Sequence, residues 1–263
     1  MTTQLVFDER TIDDLTLLDE KSFRHVALYE ELKNTLRAAR YSFRVMPATG
    51  AARWERALLL NLTFWGASSG GDVLVDAELP ADVVAHAAWH HLAARALAPA
   101  DGSRLSADAL FLGEAIASAF DVYLVGRLLG HSPESSFLET QVAAMADAAN
   151  AAGMSEDDFE DLLQGIANDP ERAFEELRQL LFDATTALVS CADAAAAMNV
   201  LARFDTHRFG VLLHHYELST WVLYARAYAS HDLGPDERVR TIDRELRTQN
   251  DSVAWLHSQW LTT

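Results

Sequence analysis

The chain has 263 residues, 50% hydrophobic and 23% charged, enough to bury a sizeable core and too apolar for a disordered segment. Its 39 acidic and 21 basic residues leave a formal net charge of −18, which repels phosphate backbones and anionic lipids, so neither nucleic acid nor a membrane is expected as a partner. A single cysteine, Cys191, excludes an internal disulfide and any multi-cysteine zinc site; its apolar surroundings read as helix interior and its thiol as buried and structural.

The N-terminus, MTTQLVFDERTIDD, lacks the basic-then-apolar order of a signal peptide. No apolar run approaches the roughly 20 residues that span a bilayer, so a soluble, cytoplasmic protein is expected. A first helix is predicted over Glu20 to Arg40, with Phe23, Leu28, Leu32 and Leu36 as its apolar positions, and Pro47 and Gly50 end that section. Trp54 to Trp65 fits a buried helix or a buried strand equally well, and Gly66 to Gly71 reads as a loop. Val73 to Leu79 alternates weakly, as a short strand does.

Pro80 and Asp82 then open a helix that carries His86 and stops before Pro99. Ser106 or Asp108 caps the next helix, which passes through Glu114 to about Leu129. From Ser136 onward only helices are read, over 136–152, 155–167, 170–190, 192–230 with a break near Gly210, and 235–260. The expected fold is mainly α, a multi-helix globular bundle with at most a small β element near residues 72–79. Residues 1–133 would hold the site helices and 134–263 a C-terminal helical part, unless both belong to a single domain.

The sequence His86-Ala-Ala-Trp-His90 places two histidines four apart on one helix face, beside Val83, Ala94 and Leu97. One helix later Glu114 shares a face with Leu110, Phe111, Ala117, Ser118, Asp121 and Val125. Core-facing imidazoles and carboxylates need hydrogen-bond partners, opposite charges or a metal. This arrangement resembles the ligand pattern of the gluzincin metallopeptidases, two histidines of one helix and a glutamate of a following one, over roughly residues 72 to 130. The resemblance implies zinc held by His86, His90 and Glu114, with Ser118 or Asp121 bonded to a ligand histidine. It departs from the family at Ala87, where the water-activating glutamate of HExxH should stand, so ordinary peptidase activity is not expected.

In a second group, His207 and His214 fall on a helical stripe with Phe204, Val211, Leu218, Trp221 and Ala225, with Glu217 one turn from His214, and the group could either complete a metal site or pack as core; His215 is assigned to the surface. Asp157-Asp-Phe-Glu-Asp161 matches the DDxxD of isoprenoid synthases but lacks a distant second motif and reads as a capped helix start. His231-Asp232 stands alone in a loop and is weak grounds for a phosphohydrolase. The tryptophans serve as core anchors, with Trp255 and Trp260 placed to mark a helix docked on a partner.

Three functional readings remain open. The first is a metal-binding helical protein with a zincin-like His/His/Glu site and zinc as its ion. The second is a metal-free helical interaction or scaffold protein, and the third a helical-bundle non-haem iron or manganese enzyme recruiting His207, His214 or Glu217. A protein partner or a homodimer fits the composition.

Overall fold

The computed structural model describes residues 7–47, 70–230 and 234–261. Trp54 to Trp65, most of the Gly66–Gly71 loop and His231-Asp232 lie outside these residues. The fold is mainly α, as expected, and its β structure extends well beyond residues 72–79. Strand β1 (Asp8–Thr11) pairs antiparallel with β3 (Ser42–Val45), which pairs parallel with β4 (Gly70–Leu74). Strand β2 (Thr16–Leu18) pairs parallel with β5 (Glu78–Pro80). Thus Val73 to Leu79 is not one strand but parts of two, contributing to different sheets.

Helix α1 (Ala27–Ala38) is shorter than Glu20 to Arg40 because both flanks leave the helical region. Asp19 has a φ of 57° and the chain turns through residues 21–25 before the helix begins. At the other end Arg40, with φ 50°, lets the Tyr41 amide close on the Leu36 carbonyl at 2.9 Å, a left-handed helix stop.

Helix α2 (Ala81–Ala96) starts directly after Pro80. Helix α3 (Ala107–Leu128) is capped by Ser106, whose Oγ accepts from the Ala109 amide at 3.1 Å. Asp108, itself buried, takes no part in that cap and accepts from the Asp236 amide and Arg240. All α3 residues except Asp121 and Arg127 are buried. By length and composition this helix could cross a membrane, contrary to the sequence expectation, yet 94% of its apolar window lies inside the fold. It packs most extensively on α6 (Pro170–Leu188) and then on α2.

The remaining helices are α4 (Ser136–Ala151), α5 (Glu156–Asn168), α7 (Ala194–Leu201), α8 (Leu218–Tyr228), α9 (Glu237–Arg247) and α10 (Ser252–Leu256), which runs into a π-helical turn over His257–Leu261. Ser155 and Asp169 cap α5 and α6 through the amides of Asp158 and Arg172, and Pro170 occupies the first turn of α6 where no amide donor is needed.

The helical stretch expected over 192–230 breaks at Gly210, as expected, and into more pieces than one break would give. Gly210 sits where a Cβ would come within 2.4 Å of the Phe204 carbonyl oxygen, so only glycine permits that turn. A 3-10 segment, Gly210–Tyr216, follows and ends at Glu217, a non-glycine residue with φ 48° and ψ 47°. Cys191 lies in the link after α6, half-buried, rather than inside a helix.

Candidate metal centre

Helices α2 and α3 face each other along a ladder of polar side chains in an otherwise apolar interface. On α2, Asp82, His86 and His90 follow at four-residue intervals and so share one face. On α3, Glu114, Ser118 and Asp121 do the same within two turns. The surrounding core includes Trp89, packed edge-on against Phe120 with ring centroids 5.4 Å apart.

One ligand-type atom from each of His86, His90 and Glu114 lies within 4.8 Å of the other two. His90 Nε2 is 3.0 Å from His86 Nε2 and 3.1 Å from Glu114 Oε2, while His86 Nε2 is 3.9 Å from Glu114 Oε1. Ligand atoms at the corners of a tetrahedral zinc site stand about 3.3 Å apart, given bonds of about 2.0–2.1 Å; His90 Nε2 meets that spacing to His86 Nε2 and Glu114 Oε2, while His86 is nearer the other carboxylate oxygen and farther off. His90 and Glu114 are almost fully buried, with side chains 1% and 6% exposed. Glu114 Oε2, despite its closeness to His90, accepts no aligned hydrogen bond, and a buried carboxylate oxygen without one is costly.

The neighbours of these three residues orient them. His86 Nδ1 donates to Asp121 Oδ2 at 3.1 Å, which directs Nε2 towards His90 and Glu114. Ser118 Oγ donates to Glu114 Oε1 at 3.2 Å. His90 Nδ1 has no partner among the described residues.

Electrostatics follow from these contacts. Burial pulls the His86 pKa down, but Asp121, Glu114 and Asp72 outweigh it and raise it to about 9. Burial pushes Glu114 up, and the imidazoles of His90 and His86 with the Ser118 hydroxyl hold it below its ordinary value. Asp82, one turn before His86, is raised to about 6 by burial and by the charge of Asp121.

The second histidine group divides differently from expectation. His207 is half-buried and its Nδ1 accepts from the Phe209 amide at 3.2 Å, while His214 and Glu217 are exposed. They do not share a stripe, because no continuous helix connects them. His215, assigned to the surface from sequence, is half-buried against Gln141, with ring and amide nitrogens 3.3 Å apart. Burial lowers its pKa against the opposing charges of Asp121 and Glu217. Tyr216 is buried, its hydroxyl has no partner among the described residues, and burial with the charge of Asp121 raises its pKa.

Four residues beside the centre were therefore missed in the sequence: Asp72, Asp82, His215 and Tyr216. Asp82 carried a usable signal, since it precedes His86 by the same interval that separates the two histidines. Asp72, held by the Tyr41 hydroxyl at 2.8 Å, comes from β4 and carried none. Comparison with known proteins adds no family to this geometry: no family model, no curated protein and no solved structure matches the chain.

Proposed function

We propose that the chain binds a divalent metal, zinc in the first instance, through His86, His90 and Glu114, and that it lacks ordinary peptidase activity. The observation that carries this reading is the convergence of two imidazole Nε2 atoms and a Glu114 oxygen without an aligned hydrogen bond between α2 and α3. A two-histidine, one-carboxylate set suits zinc and also the open-sided iron sites of oxygen chemistry. When bound, such an ion supplies Lewis acidity or, if iron, redox chemistry.

The chain's own residues supply the rest. Asp121 holds the His86 ring in one tautomer and Ser118 holds the Glu114 carboxylate. Asp82, with a pKa of about 6, can keep or release a proton near neutral pH next to Asp121. Ala87, which is 2% exposed, has no group that could take a proton. A zincin-like relationship rests on the ligand set alone.

A metal-free ion network is the second reading, favoured by the raised pKa of His86 beside Asp121 and Glu114. Elemental analysis of tag-free protein separates the two, with iron scored in protein prepared anaerobically under reducing conditions. The metal reading expects near-stoichiometric zinc or iron that disappears in a His86→Ala, His90→Ala double variant. Protein without metal, even after zinc addition and dialysis, would overturn it in favour of the network.

A further inference from the structure

Helix α7 is built almost wholly from apolar residues, AAAAMNVL, and yet none of its eight residues is buried. Apolar helices are stable in water when another element covers them. The neighbouring α8 repeats the pattern on one side. Among the described residues, the large apolar side chains that stand exposed are Met198 at 59%, Leu223 at 64% and Tyr228 at 62%, all on these two helices. Scattered single apolar residues are ordinary on a protein surface, whereas Met198 and Leu223 line one and the same groove.

Between the helices runs an open groove with a cavity volume of about 820 Å³, floored by Leu213, Leu218 and Val222 and walled by Met198, Leu201 and Leu223. Its charged lining residues are Asp193, Glu217 and Arg226. The Arg226 guanidinium is committed to the carbonyls of Val189 and Cys191, at 2.8 Å each, where α6 ends. A ligand entering the groove therefore meets two carboxylates, Asp193, whose Oδ1 also caps α7 at the Ala196 amide, and Glu217, against the guanidinium of Arg226, on a chain whose net charge is −18.

We propose that the α7–α8 groove docks a basic amphipathic helix of a partner protein. Apolar side chains at successive turns of that helix would fill the groove, and its lysines and arginines would face Asp193, Glu217 and the acidic surface beyond. Met198 suits this role because an unbranched thioether adapts its shape to the side chain it meets. The charge of the chain also selects against a second copy of itself, which would bring the same net negative charge to the interface, and steers a cationic partner inward.

The test uses the full chain and a fluorescent amphipathic peptide of leucine and lysine, with leucines at i, i+3 and i+7. Met198→Asp and Leu223→Asp change exposed positions and add negative charge. Docking in the groove predicts that each weakens peptide binding at least ten-fold, and that a leucine–glutamate peptide of the same pattern does not bind. Non-specific attraction to an acidic surface predicts the opposite sign, so equal or tighter binding by the two variants overturns the proposal.

Cys191 also lines the groove, which gives a readout that needs no variant. The lysine peptide should slow its reaction with a thiol reagent, and an unchanged rate at saturating peptide counts against docking here. Sedimentation that reveals a dimer abolished by Met198→Asp would replace the basic helix with a second copy of the chain.

Discussion

Asp121 and His86 are joined across the α2–α3 interface, the imidazole Nδ1 donating to carboxylate Oδ2 at 3.1 Å. The bond leaves the other ring nitrogen, Nε2, facing His90 Nε2 at 3.0 Å. Asp121→Asn keeps the shape but offers an acceptor without charge. Zinc affinity, read by competition with a chromophoric chelator, should fall by about 10–100-fold while the far-ultraviolet dichroism stays unchanged. Unaltered affinity would show that the ring does not depend on Asp121 for its orientation.

Placing a glutamate directly after His86 should damage the fold before it gives chemistry. Ala87 is 2% exposed and packed within the core, so Ala87→Glu must push its neighbours apart and bury a carboxylate. We expect a loss of about 1–3 kcal/mol in thermal or denaturant unfolding and no hydrolysis of casein. Measurable hydrolysis, lost again on chelation, would show that there is room for a general base beside the histidines.

A single methyl group should be felt where α3 meets the junction of α5 and α6. A Cβ at Gly126 would lie 2.6 Å from the Ile166 carbonyl oxygen and 3.1 Å from the Pro170 ring. Backbone cannot yield as a side-chain tip does. Gly126→Ala should destabilise by about 1–3 kcal/mol in urea unfolding, despite the better helix propensity of alanine.

Asp19 gives a pH signature away from the metal centre. Burial works against its charge, but the hydroxyls of Ser135, Ser22 and Ser136 and the Phe137 amide bond the carboxylate and hold its pKa below 3.8. The folded state is thus favoured when Asp19 is ionised. That contribution is present above the unfolded value of 3.8 and is lost as pH falls through the lowered folded value. Asp19→Asn should cost about 1 kcal/mol at pH 7, after allowing for its partial exposure, and the gap to the parent should close in strong acid. A gap independent of pH would assign the effect to shape alone.

The helical segments with strong punctuation were legible in the sequence. Ser155 and Ser106 cap helices and Pro170 opens one, because a side-chain oxygen or a missing amide solves a local problem. The His86, His90 and Glu114 grouping was legible for a similar local reason, since a four-residue spacing puts both histidines on one helix face and a carboxylate among apolar neighbours needs a partner. The strands at 8–11, 16–18 and 42–45 were not, because each is short and its partner lies far along the chain. Within 192–230 the break near Gly210 was legible, whereas the short 3-10 pieces and the left-handed Glu217 on either side of it were not. His215 and Tyr216 reach the neighbourhood of Asp121 through that same break, so their inward position had no periodic signature.

Helix α3, submerged on every side, has no greasy stripe and no wet stripe to tell it how far to rotate. Its azimuth has to be keyed by shape. Gly113 lies where a Cβ would come 3.2 Å from the Ala93 methyl, and Gly126 is notched against Ile166 and Pro170 near the other end. Two notches at separate points along a rod prevent it from spinning. Glu114, next to the first notch, is aimed at the histidines by the absence of a side chain beside it. Filling either notch should therefore misalign the carboxylate without touching any group that could bind an ion.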